Sequence, residues 1–189
     1  VVNLRPLIVV ALVAVGIGVA TYVVDQPLAE DSRFTPLAEP GESVAPAPVA
    51  GHPAPEFTVH TIDGQEVSLA SLQGRPVWLT FGASWCVDCR VEAPDLQATY
   101  EQFRDDGLVV LQVSVGEDEP AIRSYAERVG QTFTLAPDPG GRIADLYGVI
   151  GLPTHLFIDR DGMVRELRLG GMLPDQMATS AEAIVRGAS

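Results

Sequence analysis

Pro76-Val77-Trp78-Leu79-Thr80-Phe81-Gly82-Ala83-Ser84-Trp85-Cys86-Val87-Asp88-Cys89 is the stretch on which the fold reading turns. Pro76 to Phe81 is a short, almost wholly apolar run, suited to a buried central strand rather than a helix. A helix is expected to begin near Cys86 and to run to about Arg104, bent at Pro94, where the ring removes a backbone donor. The Cys-x-x-Cys pair therefore stands where a strand hands over to a helix. A thiolate there feels unpaired backbone N–H groups and the positive end of the helix dipole, which favours its charged form. Cys89 lies one turn on, on the same side of the helix, within reach of the Cys86 sulfur. The spacing thus suits a pair in which Cys86 attacks or is attacked and Cys89 resolves the mixed disulfide. On this reading Cys86 is the accessible nucleophile and Cys89 the buried resolver.

The neighbouring segments extend the pattern. FTVHTI, Asp63-Gly64 and EVSL, within Glu56 to Leu69, read as a hairpin with a tight turn. Leu108 to Val115 reads as a second buried strand, Pro120 to Val129 as a helix with proline in its first turn, and Phe133 to Ala136 as a short strand. Arg142 to Tyr147 reads as a short helix. Thr154 to Asp159 and Val164 to Leu169 flank Asp161-Gly162 as a second hairpin, and Pro174 to Arg186 closes the chain as a helix. Strand–helix alternation followed by a hairpin and a helix implies a mixed sheet with helices on both faces.

Composition narrows the function classes. The chain has 189 residues and a formal net charge of -13, and every basic residue is an arginine. Nucleic-acid binding needs clustered positive charge, which no segment supplies. The two cysteines form one C-x-x-C. A bridge between them closes almost no loop and adds little stability, so the pair reads as chemistry rather than scaffolding.

Leu7 to Val24 has no charged residue and is long enough to cross a bilayer, with Arg5 before it and Asp25, Glu30 and Asp31 after it. Residues 1–25 read as a single transmembrane anchor with the remainder on the extracytoplasmic side. The rival reading is a cleaved signal peptide ending near Gly18-Val19-Ala20, although the apolar run exceeds a usual signal core. Residues 26–55, rich in Pro, Ala and acids, read as a linker with a span of roughly 30 Å. The folded domain is then 56–189.

Trp85-Cys86-Val87-Asp88-Cys89, then Arg90-Val91-Glu92-Ala93-Pro94, and later Gly151-Leu152-Pro153-Thr154 carry a resemblance to a known family. The chain resembles the thioredoxin superfamily and, within it, the membrane-anchored TlpA-like reductases of the ResA/CcmG type. The resemblance covers most of Pro53 to Arg186. It implies an α/β thioredoxin-like fold: a central mixed sheet flanked by helices, an N-terminal β-hairpin, a central αβ insertion around Pro120 to Tyr147, and one transmembrane helix in front. It implies catalytic roles for Cys86, Cys89, Glu92 and Pro153, with Pro153 cis and set against the cysteine pair. Leu152 and Trp85 would then contact substrate. By itself Pro153 also reads as a plain strand-start proline.

Two departures bear on mechanism. Thioredoxin has a buried acid six residues before its first active-site cysteine, where this chain has Thr80. Glu92 matches a glutamate that TlpA-like reductases use near the dithiol; its bland reading is a solvated helix residue. Asp88 opposes a neighbouring thiolate and should make the couple more reducing, unless it points outward and is screened. Trp85 reads as partly core, with one edge shielding the sulfurs, and Gly170-Gly171 as a close-packing pair.

The resemblance further implies protein disulfide substrates, apocytochrome c or a respiratory copper-site protein, and a membrane-embedded dithiol donor. No cofactor or metal is expected, and the unit of action is expected to be a monomer. The alternative from another class is a metallochaperone binding copper through the cysteine pair and one of His52, His60 or His155. Arg90 stands where C-x-x-C-H haem attachment needs histidine. The isolated cysteine and threonine motif of a peroxiredoxin-type peroxidase are absent.

Overall fold

The computed structural model describes residues 47–187. The anchor read at 1–25 and the linker up to residue 46 lie outside the described residues. Two cores form because β3 (Val77–Gly82) is buried on both faces and its side chains alternate between them. Leu79 and Phe81 join Phe57, Leu111, Tyr147 and Ile158 on one face. Trp78 joins Leu96, Val110, Phe157, Met177 and Ile184 on the other. Trp78, Leu79 and Phe81 have no exposed surface, so truncating Phe81 to Ala costs about 3–5 kcal/mol.

The five-stranded sheet has the order β5 (Thr134–Asp138), β4 (Val109–Val115), β3, β6 (Thr154–Ile158), β7 (Val164–Leu169). Helix α1 (Val87–Phe103) carries the chain from β3 to β4 (Val109–Val115), and α2 (Glu119–Val129) from β4 to β5 (Thr134–Asp138). Both crossovers give parallel pairs, with Phe81 beside Val113 and Val113 beside Ala136. After the short α3 (Arg142–Leu146), β6 (Thr154–Ile158) returns antiparallel to β3, and β7 (Val164–Leu169) follows as its hairpin partner. Thr80 of β3 is thereby set opposite His155 of β6. Helix α4 (Pro174–Arg186) packs against α1. The leading hairpin, β1 (Thr58–His60) and β2 (Glu66–Ser68), forms its own small antiparallel sheet on the Phe57 face.

The terminations follow local chemistry. Asp118 caps α2 by accepting the Ala121 N–H at 3.1 Å. Gly107, at φ +97°, ends the turn after α1 in a left-handed conformation that a side chain would strain. Helix α1 continues through Pro94.

The folded unit starts before Glu56, the boundary expected from sequence. Gly51 donates its N–H to Val164 O at 2.7 Å, Val164 N–H donates to His52 O at 2.9 Å, and Ala54 N–H donates to Gly162 O at 3.0 Å. The donors left between the prolines thus pair with the start of β7, although the segment brings few large apolar side chains. The Tyr147 hydroxyl fixes this entry by donating to Pro55 O at 2.5 Å. Burial, reinforced by Glu56, pushes that hydroxyl's pKa up and keeps it neutral. Among the described residues no helix is long and apolar enough to cross a membrane.

Candidate active site

Cys86 is the N-cap of α1, in extended backbone at φ -79° and ψ 121°, and its sulfur accepts the Cys89 N–H at 3.2 Å. The two residues form a disulfide with Cα atoms 5.3 Å apart. An N-cap sulfur takes the place of the oxygen that usually receives such an orphan donor, and the same donor stabilises a thiolate once the bond opens. Whole-residue burial does not rank the pair as sequence suggested: Cys86 is buried and Cys89 half-buried in the oxidised form. At the junction the Cys86 backbone is held in a turn, its N–H donating to Ala83 O at 3.2 Å. What separates the two is their surroundings. Cys86 lines an open groove, whereas the Cys89 sulfur lies over Gly82, 3.6 Å from where a Cβ would sit.

The groove has a volume of about 550 Å³, and Trp85, Cys86, Val87, Val149, Ile150 and Leu152 are among its walls. Leu152-Pro153 is a cis peptide bond, as the resemblance implied. Pro153 O accepts from Gly170 N at 2.8 Å, while the Leu152 N–H and C=O make no backbone hydrogen bond among the described residues. Trp85 departs from expectation. Its side chain is not core but 60% exposed, because its indole N–H is held outward by Val115 O at 3.2 Å. Ile150, 87% exposed, faces it across the groove as a second apolar wall.

Glu92 is not a solvated helix residue: it is 5% exposed. Its Oε2 accepts the Met172 N–H at 3.1 Å, and its Oε1 lies 3.3 Å from His155 Nε2. The latter is a close approach at an oblique angle rather than an aligned hydrogen bond, and Nε2 has no hydrogen-bond partner among the described residues. On its far side, His155 Nδ1 is 3.3 Å from the donating Trp78 Nε1 and 3.0 Å from Thr80 Oγ1. Asp88 is exposed in the first turn of α1. Gly170, at φ +82°, turns the chain so that Met172 N meets Glu92.

One site residue went unread in the sequence. Glu117, buried just after β4, accepts the Ser84 N–H at 2.9 Å and the Ser84 hydroxyl, fixing the loop that leads into Trp85-Cys86. The signal was positional: in a parallel pair, the residue after one strand lies beside the loop that follows the other.

The histidines do not assemble with the cysteines. His60 pairs with Glu66 on the exposed hairpin at 3.7 Å, His52 is exposed, and His155 is turned to Trp78, Thr80 and Glu92. Among the described residues no group of three His, Cys, Asp or Glu side chains is arranged to hold a metal ion.

Residues 50–167 match the AhpC/TSA family. A curated relative, the thiol-disulfide oxidoreductase ResA of Geobacillus thermodenitrificans, is 33% identical over 138 residues, which are 73% of this chain and 79% of the relative. The chain belongs to the AhpC/TSA family, in its ResA/CcmG-type, thioredoxin-like group. It is a thiol–disulfide oxidoreductase. Among solved structures, a thiol:disulfide interchange protein of the thioredoxin family from Chlorobium tepidum matches with TM-score 0.65 and 26% identity, covering 74% of this chain and 99% of that one. A secreted Mycobacterium tuberculosis disulfide oxidoreductase homologous to E. coli DsbE matches with TM-score 0.61 and 28% identity, covering 67% and 95%. The chain's only two cysteines are Cys86 and Cys89.

Proposed function

We propose that the protein is an extracytoplasmic protein-disulfide reductase, tethered to the membrane by residues 1–25 and acting as a monomer. The observation that carries this is the Cys86–Cys89 pair at the start of α1, opening onto an apolar groove beside Leu152, whose N–H and C=O make no backbone hydrogen bond among the described residues. A substrate strand would lie in that groove, its backbone pairing with Leu152 and its apolar side chains against Trp85 and Ile150.

In the reduced enzyme the Cys86 thiolate attacks one sulfur of a substrate disulfide. A mixed disulfide forms, and the other substrate sulfur leaves as a thiolate. The Cys89 thiolate then attacks Cys86 Sγ, forming the Cys86–Cys89 bond and releasing the second substrate thiol. The two electrons come from the enzyme dithiol, so no cofactor is needed in the site. A membrane-embedded dithiol donor would restore it.

The reductive direction is supported by charge. Asp88 is exposed and screened by solvent, but Glu92 is buried one turn beyond Cys89, and a carboxylate there opposes a nearby thiolate, making the reduced pair less favoured. The substrates we favour are disulfides of apocytochrome c or of a respiratory copper-site protein. The metallochaperone reading loses its ligand set, because His155 is committed to other partners. The deciding experiment is the reduction potential of the dithiol by glutathione or dithiothreitol equilibration. A value below about -200 mV supports a reductase; one near the -120 mV of a strong oxidant reverses the direction.

A further inference from the structure

His155 is wholly buried, one residue beyond Thr154 and the cis proline, and the sequence offered it only as a strand residue or a candidate copper ligand. Its two ring nitrogens face different chemistry. The indole N–H of Trp78 can only donate, so Nδ1, 3.3 Å away, is the acceptor and the proton of the neutral ring sits on Nε2. Thr80 Oγ1, 3.0 Å from the same Nδ1, can turn its hydroxyl proton to it. An Nδ1–H would face the Trp78 N–H, so the surroundings select the tautomer with its proton on Nε2. The Nε2–H then points toward the side that carries Glu92 Oε1, 3.3 Å off.

We propose that His155 is a positioning residue for disulfide exchange: its Nε2–H steadies the Glu92 carboxylate as acceptor of the Cys89 proton. The proposal rests on the reading of Cys86 and Cys89 as the exchanging dithiol. Each Glu92 oxygen has a different neighbour: Oε2 is fixed by Met172 N–H at 3.1 Å, while Oε1 has only the oblique His155 approach. A buried carboxylate needs donors to stay charged, and an oblique donor leaves Oε1 room to turn to a thiol one helical turn back. In the resolving step the Cys89 S–H proton passes to Oε1, Cys89 Sγ bonds to Cys86 Sγ, and the bond from Cys86 to the substrate sulfur breaks. The substrate sulfur leaves with the electron pair and is protonated from solvent. Histidine transfers no proton; it keeps the acceptor aimed. Strand β3, which presents Thr80 where thioredoxin has an acid, then serves the site by orienting the imidazole instead.

The titratable and charged groups around this pair are few. Helix α1 supplies Glu92 and Cys89, β3 supplies only Trp78 and Thr80, and β7 sets Arg168 opposite His155 in register, exposed and ion-paired with Glu166.

The test compares two polar replacements in the full-length protein, read by the rate of mixed-disulfide resolution against pH with a cysteine-peptide disulfide as substrate. Asparagine at 155 can mimic Nδ1 but does not reach Glu92; glutamine carries an N–H out to where Nε2 stood. His155→Asn should slow resolution near neutral pH by about tenfold, the effect of withdrawing a close N–H from the Glu92 carboxylate, and move the profile to higher pH. His155→Gln should recover the rate to within about twofold of wild type and restore the profile. In a Glu92→Gln background, His155→Asn should add nothing. Ring 15N shifts of the unmutated, oxidised protein give a check that needs no variant: the Nε2–H tautomer is expected. Identical profiles for the two replacements, or an Nδ1–H tautomer, overturn the proposal. A wild-type protein that exchanges no disulfide takes the functional reading down, and this proposal with it. Exchange that proceeds in wild type while asparagine changes nothing removes only the role of His155.

Discussion

Glu117, just beyond the end of β4, receives both the backbone N–H and the hydroxyl of Ser84, two residues before the attacking cysteine. The loop that presents Trp85 and Cys86 is therefore tied to the end of the neighbouring strand by a buried carboxylate. Glu117→Ala leaves two donors near a buried surface without a partner. We expect a loss of about 1.5–3 kcal/mol in the oxidised protein, measured by urea denaturation, with slower attack by Cys86. Unchanged stability would mean that water replaces the carboxylate at no cost.

The groove makes a separate prediction. Ile150 is the most exposed large apolar side chain among the described residues and lines the space beside Cys86. Ile150→Asp should slow exchange with a peptide disulfide roughly five- to tenfold, as loss of an apolar interface anchor does. Exchange with dithiothreitol, too small to use the groove wall, should stay near the wild-type rate. Equal losses with both would point to a damaged dithiol rather than a lost binding surface.

Glu92→Gln tests the acid beneath the pair. The amide cannot take the Cys89 proton, so resolution near neutral pH should slow by about tenfold or more. Removing the carboxylate should also move the thiolate absorbance titration to lower pH. The control is Glu101→Gln, farther along α1, where the side chain accepts from Gln97 Nε2 at 2.9 Å. If the two variants behave alike, proton transfer belongs to water.

Asp159 ties down the β6–β7 turn, far from the dithiol. Burial alone would raise its pKa, but the Met163 N–H, the Arg165 guanidinium and the Asp161 N–H together bring it below the ordinary carboxylate value. A depressed folded-state pKa gives stability that is full above the unfolded value, near pH ~3.9, and is lost as pH falls through the folded value. Asp159→Asn should therefore be less stable than wild type at pH 7 by about 1–3 kcal/mol, with the gap closing in more acid solution. A gap independent of pH would mean that the carboxylate's charge is not what the turn uses.

Much of this was legible in the sequence, for identifiable reasons. Strands β3 and β4 are continuous apolar runs because both faces are buried, and the Asp-Gly turns mark both hairpins. The cysteine pair was legible because a helix start and a spacing of one turn are local facts. Glu92 was seen but its burial was not, since that depends on Met172 and His155, brought to it from elsewhere in the chain. Glu117 and His155 act through register between strands, which no single segment encodes. Trp85 was misread because an exposed tryptophan goes against its ordinary preference, and only the Val115 carbonyl explains it. The backbone pairing of 51–54 with 162–164 escaped notice because it uses no side chain.

The central claim is that Cys86 attacks and Cys89 resolves. It is tested most directly by incubating Cys89→Ser and Cys86→Ser proteins with a peptide disulfide and counting mixed disulfides by intact mass. The N-cap position and groove of Cys86 predict that Cys89→Ser accumulates the adduct through Cys86, while Cys86→Ser traps almost none. Equal trapping by both variants, or more by Cys86→Ser, would contradict the assignment.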